Sequence, residues 1–442
     1  VATPQRKRDL MGAGLAALTK LAGSRTLERA GLRVPVQNLV GAATKNGFRA
    51  AGAASRAFSG KRASGSPARP ATPADKGLFD LTPSEEQRMI VETVSEFAAE
   101  QLRPAADEAD ARLSPPDGLL TRSAELGVSL IGIPEELGGA GAERSVVTNV
   151  LIAEALAHGD LGLAVAVLAP SAVSTALVLW GDAQQQADYL PAFVGENVPA
   201  AALALAEARP LFDPFKPATR ARRTPSGYQL DGVKSLVPRA TQAELFVVSA
   251  DLEGSQGRCP ALFLVESSEA GLSIEPEPAM GLRGAATGKL LLDKVKVPAG
   301  ALLGSPDMYA DVVRLSRLGW AALATGTAKA VLDYVIPYVN ERTAFGEPIS
   351  HRQAVAFSVA DIAIELEGMR LVTLRAAARA EQGKPYAREV ALARKLATDK
   401  GMRIGSAGVQ LLGGHGFTRE HPVERWYRDL RAIGIAEGVV LL

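Results

Sequence analysis

The sequence predicts an α+β fold in three consecutive parts: a helical domain, an antiparallel β domain and a C-terminal helical bundle, with a basic helical extension in front. Three observations carry this. Apolar residues recur at helical spacing from about residue 80, short β-type runs separated by Gly, Pro and Asp follow from 197, and helical spacing returns from 308. The changes of period put the boundaries at 1–76, 77–196, 197–304 and 305–442. A chain of 442 residues is too long for one core, and 47 % apolar with 22 % charged residues excludes wholesale disorder and a polytopic membrane protein. Cys259 alone forms no intrachain disulfide, and His158, His351, His415 and His421 show no metal-ligand spacing, so no metal is expected.

Residues 1–76 carry fourteen Lys and Arg against three acids, a charge of +11, which leaves −10 for the rest of a chain of net charge +1. Such a head suits something anionic: a membrane surface, nucleic acid, or the acidic body itself. Leu10, Leu15, Leu18 and Leu21, then Val36, Leu39 and Val40 after Pro35, give short amphipathic helices, and the Gly-, Ser-, Ala- and Pro-rich stretch 59–77 reads as a linker. Arg, Ala and Ser with few acids resemble an organellar transit peptide of unusual length. The expected location is cytoplasmic, peripheral to a membrane through this extension, with mitochondrial as the alternative.

In the first domain, Thr82-Pro83-Ser84-Glu85 reads as an N-cap, a first-turn proline and a capping-box acid, and the helix it opens is expected to stop before Pro104. Helices are expected around 117–127, 145–158 and 161–196. The uncharged run 161–181 approaches transmembrane length, but Pro170, Ser171, Ser174 and Thr175 interrupt it, and a buried helix pair fits better. Six β-type runs between 198 and 298 make the sheet. Helices at 308–340, 350–382 and 386–412 close the chain as a bundle that ends at the turn Leu411-Leu412-Gly413-Gly414-His415-Gly416.

Singly, the candidates for chemistry are weak. Glu437 sits among apolar residues, where a carboxylate becomes a stronger base, although a loop acid before Gly438 is the plainer reading. Gly413, Gly414 and Gly416 could admit a phosphate or simply end a helix. Arg342 and Phe345 offer a guanidinium for a pyrophosphate and a ring for an adenine.

Their order changes the reading. RTAFGEPISHRQ (342–353), QLLGGHG (410–416) and HPVERWYRDLRAIGIAEG (421–438) resemble the acyl-CoA dehydrogenase family. So do LTPSEEQ at the first helix, IPEELGGAG (133–141) and MGLRGAATGKLLLDKVKVPAGALLG (280–304). The resemblance implies an FAD enzyme that removes the α-proton of an acyl-CoA thioester with a carboxylate while hydride leaves to the flavin, giving a trans-2-enoyl-CoA. It implies Glu437 as that base. Arg342, Phe345, Gln353, Gln410, Gly413 and Gly414 fall at positions that hold the adenosine diphosphate half of a neighbouring subunit's flavin, and Arg317 at a cation near the acyl-CoA mouth. It also implies a homodimer or homotetramer, and an electron-transferring flavoprotein as acceptor.

Other positions depart from the family. Where its flavin loop reads T-E-P-x-A-G-S-D, this chain has Ala206-Glu207-Ala208-Arg209-Pro210-Leu211-Phe212-Asp213. Its W-I-T/S-N segment is Leu236-Val237-Pro238-Arg239, and Val439 replaces the Thr after Glu437-Gly438. Three expectations follow: an acyl-CoA dehydrogenase with an unusual ring pocket, an FAD-poor subunit that pairs with an intact paralogue, or a membrane- or nucleic-acid-anchored relative.

Overall fold

A computed structural model describes residues 82–442 apart from 131, 140–143, 196, 255–256, 439 and 442, all within the unit Phe79–Leu442. The expectations for the basic extension concern residues outside this set.

Helix α1 (Glu85–Phe97) starts two residues later than the sequence suggests. Ser84 is the N-cap and Gln87 closes the capping box, because the Ser84 hydroxyl takes the Gln87 N–H while the Gln87 side chain takes the Ser84 N–H. The helical path also continues past Pro104. A π turn, Ala98–Leu102, leads into α2 (Arg103–Arg112), whose first turn accommodates a residue without an N–H. After α3 (Leu119–Glu125) come α4 (Val146–Gly159), α5 (Leu161–Trp180) and α6 (Ala183–Val194). The run from 161 is therefore one buried helix, not a pair. It is long and apolar enough to cross a membrane, but 89 % of it is buried within the protein, as suits the central helix of a bundle.

The middle domain is an eight-stranded sheet: β1 (Ala201–Ala204), β2 (Arg220–Thr224), β3 (Gly227–Val237), β4 (Leu245–Gly254), β5 (Gly257–Glu266), β6 (Leu272–Pro276), β7 (Gly288–Pro298) and β8 (Leu302–Leu303), with path β6-β7-β3-β2-β4-β5-β8 and β1 beside β4. It is not purely antiparallel, since β1 and β2 both pair with β4 in parallel. Strand β2 reads RARRT and buries only Ala221, so it carries no alternating pattern to announce it.

The C-terminal bundle has α7 (Tyr309–Glu341), a small hairpin of β9 (Thr343–Ala344) and β10 (Glu347–Pro348), α8 (Gln353–Glu381), α9 (Ala387–Leu411) and α10 (Val423–Ala432). Charges pin α10 from three sides. Arg425 pairs with Asp107 and, at 3.1 Å, with Asp160, which also caps α5. Arg428 forks onto Asp110 at 2.8 and 3.0 Å. Asp429 accepts the Leu282 N–H at 2.7 Å, and burial with the nearby Asp160 charge pushes its carboxyl up to about 7. The tail that follows α10 is thereby fixed against both helical domains and the sheet.

Candidate active site

Glu437 lies in that tail, on a turn held from several directions. Ala436 N–H closes onto Ala432 O at 2.9 Å, while Gly438 O accepts the Ser316 hydroxyl at 2.8 Å and the Trp320 indole N–H at 2.9 Å. Gly438 has φ +81°, and a Cβ there would stand 3.0 Å from the Leu205 side chain just after β1. Glycine is thus required both for backbone conformation and for close approach of the sheet.

The carboxylate does not sit in an apolar crevice, as its sequence neighbours suggest. Arg317 on α7 donates from Nε to both oxygens at 3.1 Å and from Nη2 to Oε1 at 2.8 Å. Arg394 on α9 donates from Nη2 to Ala436 O at 2.6 Å and lies 3.6 Å from Glu437 Oε1. Arg317, expected as a cation near the acyl-CoA mouth, chelates Glu437 with its guanidinium, and the Phe215 ring lies 5.5 Å from it. A carboxylate removed from water needs a counter-charge, and here it comes from a helix 120 residues away in sequence. Sequence reasoning missed Arg394. The available signal was its position beside the buried α9 stripe Val390, Ala393, Ala397, where a guanidinium must find a partner.

A second buried carboxylate lies at the flavin-loop position. Glu207 accepts N–H groups of Ala218 and Thr219, the Thr219 hydroxyl, and the Lys234 ammonium at 2.9 Å. Burial alone would raise its carboxyl, but Lys234 and the backbone donors outweigh that and hold it below the ordinary range. Lys234 is wholly buried, also bonds Ser249 Oγ at 2.9 Å, and is pulled down to about 8 because for the ammonium burial outweighs the Glu207 charge. The Tyr309 hydroxyl, pushed up by burial, donates to Pro214 O at 2.8 Å and closes the loop onto α7.

The remaining predicted residues lie on exposed parts of the C-terminal bundle. Arg342 ends α7, Phe345 is 95 % exposed at φ +57°, Gln353 starts α8, and Gln410 ends α9. Gly413 and Gly414 are exposed, and a Cβ on either would meet no atom within 4 Å. Along α8 from Gln353 runs a stripe of exposed Phe357, Ile364 and Leu371, two helical turns apart. Nearby, His415, Glu420 and His421 have ligand atoms within 4.8 Å of one another. Each has a partner, His415 with Glu420 at 2.9 Å and His421 with the Tyr334 hydroxyl at 2.6 Å, so the cluster is a completed hydrogen-bond network.

Family models match the whole architecture: the acyl-CoA dehydrogenase N-terminal domain at residues 84–197, the middle domain at 202–295 and the C-terminal domain at 309–439. The mouse mitochondrial short-chain specific acyl-CoA dehydrogenase (Mus musculus) is 32 % identical over 361 residues, 80 % of this chain and 87 % of that one. The chain belongs to the acyl-CoA dehydrogenase family. A 3-(aryl)acrylate reductase of Clostridium sporogenes is 30 % identical over 80 % of this chain and 95 % of its own length. Butyryl-CoA dehydrogenase of Megasphaera elsdenii superposes with a TM-score of 0.75 at 28 % identity, covering 81 % of this chain and 96 % of that one.

Within this acyl-CoA dehydrogenase fold the departures become physical. Leu211 is fully exposed at φ +53°, and the Arg209 guanidinium lies 5.6 Å from the Phe212 ring. Arg239, at φ +49°, has Nε and Nη1 buried without an acceptor, and burial alone lowers it to about 10. Among the described residues no charge compensates this guanidinium.

Proposed function

We propose that the protein is an FAD-dependent acyl-CoA dehydrogenase in which Glu437 abstracts the α-proton of the thioester. The observation that carries this is the manner in which Glu437 is held. Its backbone turn is locked by Ser316, Trp320 and Gly438, while among the described residues its carboxylate is held by arginine side chains alone, which a ligand can displace without unfolding anything. A general base needs that combination of fixed backbone and releasable oxygen.

The residues present fit FAD. The open glycines 413 and 414 leave room for a backbone approach to a pyrophosphate, and the Arg342 guanidinium, without an acid partner among the described residues, suits its charge. On the ring side, orphaned Arg239 offers donors in a loop that has lost its hydroxyls. Bound there, FAD supplies the acceptor for the β-hydride. The chain's own part is to take the α-proton on Glu437 and to limit water at that carboxylate, whose side chain is 11 % exposed. Arg342, Phe345, Gln353, Gln410, Gly413 and Gly414 would serve the flavin of a second copy, for which the apolar α8 stripe provides contact surface.

The paralogue reading has its own support in Ala206, Leu211, Phe212 and Pro238. One preparation separates the two. Purified full-length protein that binds FAD and loses flavin absorption on anaerobic addition of acyl-CoA supports the dehydrogenase. A colourless protein that FAD cannot reconstitute, and that recovers flavin only with a second family member, overturns it.

A further inference from the structure

Arg394 is a buried cation at this site that sequence reasoning did not single out. We propose that Arg394 is a positioning residue for the base: it fixes the turn that carries Glu437 and remains as the counter-charge of the carboxylate when Arg317 lets go. This rests on the reading of Glu437 as the base.

The two arginines are not equivalent. Arg317 donates to both carboxylate oxygens, which lowers their basicity and holds the carboxylate toward α7 rather than toward a C–H bond. For proton abstraction that fork must open. Arg317 is also the more accessible partner, with 27 % of its side chain exposed against 11 % for Arg394, so it is the one whose bonds a ligand or water replaces first. Arg394 is tied to the backbone through Ala436 O at 2.6 Å and stays when the carboxylate moves.

Its unused capacity fits this part. Nη2 lies 3.6 Å from Oε1, outside hydrogen-bond range, and Nη1 is buried with no acceptor among the described residues. A shift of Oε1 by less than about an ångström brings it into range of Arg394. Leaving Arg317 therefore does not strand a buried charge, a state that proteins otherwise avoid. Among the described residues, the charged and titratable groups that face Glu437 are Arg317 and the neutral Tyr309 hydroxyl from α7 and Arg394 from α9. The sheet contributes Leu205, which has no charge.

The test measures deuterium exchange at the α-carbon of butyryl-CoA and, in parallel, palmitoyl-CoA, from about pH 5 to 9, with FAD-loaded full-length protein and its Arg394→Gln, Arg394→Lys and Glu437→Gln variants. Melting temperature and acyl-CoA binding by calorimetry are read beside it. In Arg394→Gln maximal exchange falls about 10–100-fold while acyl-CoA affinity changes less than about threefold. Arg394→Lys keeps the charge and one donor and restores part of the rate. Should the Gln variant fail to fold, the Lys variant decides, since a purely structural role lowers melting temperature, rate and affinity together and predicts no split between rate and affinity. An unchanged rate in Arg394→Gln, or equal losses in Gln and Lys, overturns the proposal. If Glu437→Gln retains exchange, the base assignment itself fails. Exchange lost there but an unchanged profile in Arg394→Gln fails the Arg394 inference alone.

Discussion

Glu207 and Glu437 are both buried acids paired with cations, yet their surroundings give them opposite uses. Backbone N–H groups of Ala218 and Thr219 fill the Glu207 oxygens, and its ammonium partner, Lys234, is wholly enclosed. Nothing in that arrangement can move without exposing an unsatisfied group, so Glu207 acts as a strut for the loop between β1 and β2. Around Glu437 the backbone is fixed and the side chain is not, because among the described residues its donor is one long, flexible arginine, Arg317, with Arg394 3.6 Å away. The number of backbone donors separates a carboxylate that builds the site from one that can work in it.

The sharpest way to break this contrast is to remove each acid. Glu437→Gln is expected to lower α-proton exchange by about 100-fold or more while costing only about 1–2 kcal/mol of stability, since the amide still accepts from Arg317. Glu207→Ala should cost about 3–5 kcal/mol in urea unfolding, because it leaves the Lys234 ammonium buried without a counter-charge. Equal stability losses would erase the distinction. A smaller effect tests the turn beneath the base. Gly438→Ala forces a side chain into φ +81° and against Leu205, and should destabilise by about 1–2 kcal/mol and slow exchange, measured by thermal unfolding and deuterium incorporation.

The least effect concerns pH. Lys234 loses its proton near 8 in the folded protein but only near its ordinary value of 10.5 when unfolded, so the unfolded chain holds more protons between those values. Stability should therefore gain from this residue as pH rises from about 8 toward 10. Lys234→Met should remove that slope in urea titrations at several pH values. A slope that persists in the variant would place its origin elsewhere.

Much of this was legible before folding. The long helices at 308–340, 350–382 and 386–412 appear as Tyr309–Glu341, Gln353–Glu381 and Ala387–Leu411, because the periodic apolar face that marks a helix is written locally. Strand β2 was not legible, since it is stabilised by its neighbours rather than by its own RARRT pattern. Nor was the continuation past Pro104, which depends on a π turn absorbing a residue that α-helical spacing alone excludes.

By itself, the sequence determined the order of domains, the glycine after Glu437 and the motif set that marks the family. These rest on local spacing and on a backbone conformation that glycine alone adopts without strain. Tertiary structure decided what meets Glu437. An apolar sequence context became a two-arginine clamp because α7 and α9 bring Arg317 and Arg394 across the bundle. Periodicity records which face of a helix is buried. Which opposite charges are enclosed together depends on how distant helices cross, and that is set only when the core packs.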